Sequence, residues 1–271
     1  MGQGNVFAPF LSEIASFGYV VVANGPIVPG AMKGAEKMWR AIQLALEHPG
    51  RTGGAPGGKG APLPKLPPMQ QSRTRELIET LNWAQSRTPD SKYRGKLDPT
   101  EMAVMGQSCG GLQALAAAAD PRVKTAVILD SGIIRGPVSW PANMRLPPGM
   151  PPPDLSHLPA NIHSLALLHS PTVYLIGGKS DIAYDNALKD FKAITRVPLF
   201  LASMPSVGHM ATYWEPHGGE FADDVVKWLN WQLKHQKTAA REFVGARCGL
   251  CESPQWRVKR RNWHWRSAVT E

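Results

Sequence analysis

The sequence has 271 residues, a formal net charge of +9, and hydrophobic residues at 43% of its positions. A chain of this length can bury the core of one large domain, and its composition is ordinary for a globular protein. It contains no apolar run of about 18 residues, and its N-terminus lacks the basic and apolar segments of a signal peptide. We therefore expect neither a transmembrane segment nor a signal peptide.

The N-terminal third of the chain predicts a helix, a buried strand and a long insertion. Apolar residues share one face over residues 7–17, which predicts a helix. A continuous, β-branched apolar run at 19–23 predicts a strand that is covered on both faces of a parallel sheet. Residues 25–72 form the insertion. Within it a helix is expected over 35–47, and six Gly and six Pro between 49 and 68 predict irregular structure.

The rest of the chain alternates between strands and helices, which indicates an α/β fold with a mostly parallel sheet. The predicted strands are buried apolar runs at 102–105, 125–129, 172–176 and 198–202. The predicted helices lie at 74–87 (with Ser72 as a candidate cap), 112–119, 186–193 and 220–234. Residues 133–170 are irregular and rich in proline, and we interpret them as a lid-like loop over the carboxyl ends of the strands.

The segment Gly106-Gln107-Ser108-Cys109-Gly110 matches the pattern G-x-S-x-G between a predicted strand and a predicted helix. In that context the pattern is typical of a nucleophile elbow, a sharp turn that exposes a serine hydroxyl beside a base. Crowding of the turn would explain glycine at both flanks, where a Cβ would clash. The N–H of Cys109, at a helix N-terminus, would point to the place where an oxyanion forms. A glycine-rich turn without chemistry is the simpler alternative.

Three residues that suit hydrolytic chemistry follow predicted strands in the order Ser108, Asp181 and His209. Because the carboxyl ends of parallel strands meet at one edge of a sheet, these side chains are expected to converge. His209 would accept the proton of Ser108 and return it to the leaving group, while Asp181 would fix the imidazole tautomer. The sequence therefore predicts a catalytic triad.

Other residues compete for two of these roles. Asp130 follows the preceding strand and could reach the site, whereas Asp185 is better explained as a helix cap. His217, just before the last predicted helix, is the alternative base to His209. The remaining histidines do not share the spacing of a metal site, so we predict neither a metal nor a cofactor.

Residues 235–271 are predicted to form a basic tail after a domain that spans residues 1–234. The tail carries eight Lys or Arg against three Glu, a composition typical of a solvated segment, although it could also bind nucleic acid or an anionic surface. Cys248 and Cys251 form a C-x-x-C pair without the second pair that a zinc site needs. A local disulfide and a pair of free thiols are both compatible with this spacing, and a disulfide would indicate an oxidising compartment.

Over residues 7–234, apart from the insertion, the chain resembles the α/β-hydrolase superfamily. The matching segments are residues 7–22, 105–111, 177–181 and 208–209. Within the superfamily it looks like the branch of dienelactone hydrolases and cutinase-like (polyester) hydrolases, and more closely like a group of fungal secreted hydrolases. The Cys248–Cys251 segment with Trp256 is similar to that fungal group as well.

The resemblance implies ester hydrolysis through an acyl-enzyme, and it suggests secretion. Dienelactone hydrolases proper use Cys as the nucleophile, so Ser108 at this position favours an esterase. We expect a monomer that acts on a small or polymeric ester, without a nucleic-acid partner. The loop that contains Gln3 and Gly4 would supply the second N–H for the oxyanion. Trp140 and Trp214 are candidate walls of an acyl pocket, with ordinary packing as the alternative.

In the family that the chain resembles, the strand at 19–23 would be the fourth of eight. This chain would then lack the first three strands, and its fold is expected to be truncated at the N-terminus. Loss of the third strand would leave a slot in the sheet between 19–23 and 102–105, with unpaired backbone groups on both sides. The alternative to an enzyme is therefore a non-catalytic remnant whose basic, tryptophan-containing segment 257–266 binds an anionic surface. Docking of this segment onto the domain is the simpler explanation of its tryptophans.

Overall fold

The computed structural model describes residues 4–37, 40, 73–86, 91–93, 95–135 and 158–262. Its strands are β1 (Met102–Gln107), β2 (Val123–Leu129), β3 (Thr172–Gly177), β4 (Leu199–Met204) and β5 (Arg257–Arg261). They form one sheet in the order β1-β2-β3-β4-β5, in which the first four strands are parallel and β5 is antiparallel to β4. The predicted α/β fold with a mostly parallel sheet is confirmed.

Helices alternate with the parallel strands, as crossover connections require. In chain order they are α1 (Ala8–Ser16), α2 (31–37), α3 (Thr74–Gln85), α4 (Cys109–Ala117), α5 (Ile162–Ala166), α6 (Tyr184–Ala193), α7 (Gly219–Gln232), α8 (Lys237–Ala240) and α9 (Gly249–Glu252). Short 3₁₀ turns occur at Ser91–Tyr93 and Pro216–Gly218. In the part of the chain that the structure describes, no helix is long and apolar enough to cross a bilayer.

Strands β2, β3 and β4 are almost entirely buried on both faces, which explains why they are continuous apolar runs. In β2, Val127 and Leu129 pack into one cluster with side chains of α1, α7, α8 and α9. Ala126 and Ile128 point the other way, into a second cluster with side chains of α3, α4, α5 and α6. The sheet is therefore the middle of three layers, and its strand ends are held rigidly for the residues that follow them.

The strand predicted at residues 19–23 does not form. Residues 19–24 have no strand conformation, and a cavity of about 490 Å³ separates them from β1. Within the described residues, no backbone hydrogen bond joins this segment to β1. A strand is defined by its pairing with a neighbour, so the apolar composition of 19–23 was not sufficient to make one. The slot expected beside residues 102–105 corresponds in place to this cavity.

The interpretation of residues 235–271 as a solvated tail is wrong for residues 235–262. This segment forms α8, α9 and β5, and β5 extends the sheet beside β4. Trp256 is only 4% exposed and belongs to the cluster on the α7 face of the sheet. Arg260 and Arg261 donate hydrogen bonds to the carbonyls of Gly245 and Lys192. These contacts do not favour the alternative in which the tail reaches out to an anionic surface.

Smaller differences concern helix ends and the insertion. The N-cap of α3 is Arg73, whereas Ser72, the predicted cap, lies outside the described residues. Asp185 lies inside α6, whose N-cap is Ala183, so its prediction as the cap is wrong. The predicted irregular segment 133–170 contains α5, and its residues 136–157 lie outside the described part, as do most of the predicted helix at 35–47 and the Gly/Pro-rich stretch.

Candidate active site

Ser108 occupies a sharp turn between β1 and α4. Its φ of 55° and ψ of −121° lie in a region that a residue with a side chain rarely adopts, and such strain clusters at functional sites. A Cβ on Gly106 would lie 2.1 Å from the carbonyl oxygen of Gly110, which confirms the need for glycine at that flank. A Cβ on Gly110 would meet nothing within 4 Å, so the predicted clash there is wrong. Gly111 is the second crowded position, because its Cβ would lie 2.4 Å from Cβ of Ser131.

The structure brings Ser108, His209 and Asp181 into one hydrogen-bonded chain. Nε2 of His209 is 2.9 Å from Oγ of Ser108, and its Nδ1 is 2.7 Å from Oδ1 of Asp181. Ser108 follows β1, Asp181 follows β3 and His209 follows β4, so three strand ends position the three groups. His209 is 5% exposed and Asp181 is 3% exposed, whereas Ser108 is half-buried and open to an incoming molecule.

The charge of Asp181 is set by two opposing effects. Burial would raise the pKa of its carboxyl group, but the hydrogen bond from His209 and the charge of that imidazole, together with the N–H of Ala183, lower the pKa below its usual range. Asp181 is therefore ionised at neutral pH and accepts the Nδ1–H of His209. That tautomer leaves Nε2 as a lone-pair acceptor facing the hydroxyl of Ser108.

Two supporting residues were not predicted. The side-chain amide of Gln107 donates to the carbonyl of His209 at 2.8 Å and so ties the histidine loop to the end of β1. The hydroxyl of Ser131 donates to the carbonyl of Ser108 at 2.7 Å and holds the turn from the side of β2. Both were visible in the sequence as polar residues at a strand end, a position that predicts proximity to the site even when the role is unknown.

Of the two rivals that the sequence left open, one lies in the site and the other lies outside it. Asp130 is fully buried at the end of β2, with its carboxyl group beside that of Asp181. His217 lies at the protein surface with its side chain 81% exposed, and its Nδ1 is 2.7 Å from Glu13 of α1. Of the two histidines, His209 is the one that lies beside Ser108 and Asp181.

The backbone N–H groups predicted as oxyanion donors differ in their surroundings. Cys109 is exposed and is the first residue of α4, so its N–H is one of the unpaired donors at the start of that helix. The N–H of Gly4 donates to the carbonyl of Pro26 at 3.0 Å, so the role predicted for Gly4 as second donor is not supported in this arrangement. Gln3, the other predicted donor, lies outside the described residues.

The predicted pocket walls have different outcomes. Trp140 lies outside the described residues. Trp214 donates its indole N–H to the carbonyl of Val6 at 3.1 Å, and its ring stacks on Phe7 with centroids 6.5 Å apart. These contacts are ordinary packing, the alternative named for this residue. The cavity beside β1 is lined by Gly106 and Gln107 but by neither Ser108 nor His209, so it lies next to the site and does not contain its reactive atoms.

The cysteine pair forms a disulfide between Cys248 and Cys251, one of the two states that the spacing allowed. Cys248 is fully buried, and the bond links this N-cap residue of the single-turn helix α9 to Cys251 inside the helix. Across the described ranges, no group of three or more His, Cys, Asp or Glu residues is arranged to hold a metal ion.

Comparison with known proteins yields structural neighbours only. No protein-family model matches the sequence, and no curated protein matches it. A solved structure assigned as a dienelactone hydrolase from Klebsiella pneumoniae is similar, with 16% identity, a TM-score of 0.40 and coverage of 60% of each chain. Dienelactone hydrolase from Anabaena variabilis is similar with 18% identity, a TM-score of 0.36, and coverage of 60% of this chain and 58% of that one.

A third neighbour is 2,6-dihydroxy-pseudo-oxynicotine hydrolase, with 16% identity, a TM-score of 0.42, and coverage of 59% of this chain and 46% of that one. Two of the three neighbours carry the name dienelactone hydrolase, a branch that the sequence resemblance names as well. The match spans about half to three fifths of their length. Because the identity is low and the overlap is partial, the activity of this chain has to be argued from its site.

Proposed function

We propose that this protein is a serine hydrolase that cleaves carboxylic esters through an acyl-enzyme. The observation that carries the proposal is the continuous chain from Oγ of Ser108 to Nε2 of His209 at 2.9 Å and from Nδ1 to Asp181 at 2.7 Å. A hydroxyl is a weak nucleophile unless a base can take its proton as it attacks, and this geometry supplies that base. The closeness to cutinase-like and fungal secreted proteins remains a prediction.

The first half of the reaction forms the acyl-enzyme. Oγ of Ser108 attacks the ester carbonyl carbon while Nε2 of His209 takes the hydroxyl proton, and the carbonyl oxygen becomes an oxyanion. When this intermediate collapses, the bond between the carbonyl carbon and the alcohol oxygen breaks. The departing alcohol receives the proton from Nε2. Asp181 stays ionised throughout and stabilises the imidazolium that exists between these two proton transfers.

The second half releases the acid. A water molecule takes the place of the alcohol, gives a proton to Nε2 of His209 and attacks the acyl carbon. Collapse then breaks the bond to Oγ of Ser108, which recovers its proton, and leaves the carboxylic acid. In both halves the N–H of Cys109, at the start of α4, donates to the oxyanion in this proposal. These steps require no cofactor.

Labelling with a fluorophosphonate probe tests the proposal, because the probe reacts with a serine that has an activated hydroxyl. Wild-type protein is expected to gain one adduct at Ser108, located by mass spectrometry, and Ser108→Ala is expected to gain none. Cys109→Ala is the matched control: it removes the exposed neighbouring thiol but keeps its backbone N–H, so labelling should persist. Absence of labelling in folded wild-type protein, or labelling that survives Ser108→Ala, would contradict the proposal.

Hydrolysis of p-nitrophenyl esters then tests the substrate class. His209→Ala is expected to lower kcat/KM by about 10³-fold or more, because the nucleophile loses its base. His217→Ala removes the exposed rival and is expected to leave kcat/KM within about twofold. Comparing acetate with longer acyl esters and a polyester film would distinguish small from polymeric substrates. Equal losses in the two histidine variants would reject His209 as the base.

A further inference from the structure

A second buried carboxyl group lies against the proposed triad and has no role in the steps above. Asp130 follows β2, has no exposed surface, and has a φ of 38°, which is rare for a residue with a side chain. Backbone in this region is retained only where the surroundings hold it there. Strain and complete burial at a residue beside Asp181 suggest that the position of its carboxyl group matters to the site.

Three contacts hold the carboxyl group of Asp130. Its Oδ1 accepts the N–H of Gly177 at 2.7 Å, and its Oδ2 accepts the hydroxyl hydrogen of Tyr213. It also interacts with the Asp181 carboxyl group, through charge and through a side-chain hydrogen bond. Tyr213 is itself buried among the rings of Phe7 and Phe10. The titratable groups that face Asp130 are thus Tyr213, Asp181 and, beyond Asp181, His209.

Asp181 has an acceptor atom that lacks a partner. Its Oδ1 accepts hydrogen bonds from both His209 and Ala183. Its Oδ2 is buried, and no donor among the described residues reaches it as long as both Asp130 and Asp181 are ionised. A buried acceptor without a donor is costly. A proton on Asp130 would provide the missing donor, because a protonated carboxyl group can donate one hydrogen bond.

We propose that Asp130 is a positioning residue that keeps its own proton and donates it as a hydrogen bond to Oδ2 of Asp181. The pair of carboxyl groups then carries a single negative charge, located on the residue that contacts His209. This inference deepens the proposed function and rests on it for the role of Asp181. Asp130 would fix the plane of the Asp181 carboxylate without touching the substrate.

The electrostatics of the pair support this assignment of the proton. Burial and the neighbouring charge of Asp181 raise the pKa of Asp130 well above its ordinary value, and the contact with His209 holds the pKa of Asp181 low. Burial also raises the pKa of Tyr213, so its hydroxyl keeps its hydrogen and remains a donor. Two interacting carboxyl groups in one buried site share one charge for the same reason in other proteins, because the first negative charge opposes ionisation of the second group.

The test measures the pKa of His209 directly, by NMR titration of its imidazole nitrogens in wild type and in Asp130→Asn. Asparagine has nearly the same shape, is neutral at every pH, and can donate an N–H to Asp181. If Asp130 is neutral in the wild type, the pKa of His209 should agree in the two proteins within about 0.3 units. If Asp130 is ionised, losing its charge should lower the pKa of His209 by about one unit or more, which would overturn the proposal.

Asp190 provides a matched control. It is also fully buried and also accepts a tyrosine hydroxyl and a backbone N–H, from Tyr174 and Ile133. It lies in α6 and pairs with Arg135 rather than with the triad. Asp190→Asn should therefore leave the titration of His209 unchanged. A shift of the His209 pKa in this control would measure how much the loss of a buried carboxyl group away from the triad disturbs the site. The shift in Asp130→Asn would then overturn the proposal only where it exceeds the shift in Asp190→Asn by about one unit or more.

Asp130→Leu tests whether the hydrogen bond that residue 130 donates to Asp181 matters, because leucine fills space at this position but cannot donate. It removes the donor to Asp181, so the rate of fluorophosphonate labelling at pH 7 should fall by about 10-fold or more, while Asp130→Asn should stay within a few-fold of wild type. Equal rates for Leu and Asn would overturn the donor role. If Asp130→Leu does not fold, the His209 titration of Asp130→Asn decides the proposal. If folded wild type does not label at all, the hydrolase proposal fails, whereas the titration still reports the charge of Asp130.

Discussion

The two edges of the sheet are completed in different ways. At the β4 edge, β5 pairs antiparallel with Leu199–Ser203, and Trp256 just before it packs 5.1 Å from Phe221 of α7. At the β1 edge, no strand follows in the described residues, and a cavity of about 490 Å³ lies between β1 and residues 19–24. The basic segment 257–261, which the sequence predicts to be solvated, pairs with β4 and closes that edge. The apolar segment 19–23, which the sequence predicts to be a strand, does not pair with β1, and that edge stays open.

The difference shows that pairing depends on partners more than on composition. β5 has one apolar residue, Val258, among four cations, yet the exposed backbone of β4 gives it a complete ladder of partners. Residues 19–23 are continuously apolar, yet among the described residues no backbone hydrogen bond joins them to a strand. Free energy of unfolding should therefore depend strongly on side chains at the closed edge and weakly on those at the open one.

The largest expected effect comes from the two edge tryptophans. Trp256→Ala should lower the free energy of unfolding by about 3–5 kcal/mol, because a nearly buried ring leaves a cavity in a packed cluster. Trp83→Ala should lower it by about 1 kcal/mol, because that half-buried ring lines a cavity that already exists. Urea unfolding followed by circular dichroism measures both. Similar losses would remove the distinction between the edges.

The next effect concerns how the closed edge responds to pH. Burial raises the pKa of Asp224 in α7 to about 7, although Lys227 opposes the shift. The native state then binds a proton that the unfolded state has lost, so its stability falls as pH rises from about 4 to 7. Relative to Asp224→Asn, the wild type should lose roughly 2–4 kcal/mol between pH 4 and pH 8. A pH-independent difference would show that Asp224 titrates normally in the fold.

The smallest expected effect comes from the same substitution, Ala→Val, made once in β4 and once in β1. Ala202 in β4 is fully buried, so Ala202→Val should overpack the core and lower the free energy of unfolding by about 1–3 kcal/mol. Ala103 in β1 lines the cavity, so Ala103→Val should fill space and raise the stability by about 0.5–1 kcal/mol. Thermal melts of the two variants measure the contrast. Destabilisation of equal size would mean that the β1 edge is as tightly packed as β4.

The sequence predicted the elements whose signals are local. Strands β1 to β4 are largely apolar runs, and α1, α3, α6 and α7 have an apolar face, so each could be recognised from its own residues. The errors are nonlocal. Whether residues 19–23 and residues 257–261 form strands depends on which other backbone lies alongside them. The residues of the two segments carry no information about that partner. The single-turn helix α5 is too short to show a period.

The three residues of the candidate site were also predicted from local signals, whereas the contacts around them were not. Ser108, Asp181 and His209 each follow a strand, so their meeting could be inferred from topology. The sequence predicted His209 as the base with His217 as the alternative, and only the fold shows that His209 lies at Ser108 whereas His217 lies at the surface. The contacts of Gln107 and Asp130 depend on loops that fold against each other, so no spacing along the chain could reveal them.

The charges of β5 have a consequence for how molecules of this protein meet one another. Arg257, Lys259, Arg260 and Arg261 lie on the outermost strand of the sheet. A second molecule that tried to add its own β5 to this edge would bring four more cations against them, and the mutual repulsion would oppose sheet extension between molecules. Added salt shortens the range of that repulsion, so colloidal stability at this edge should weaken as ionic strength rises.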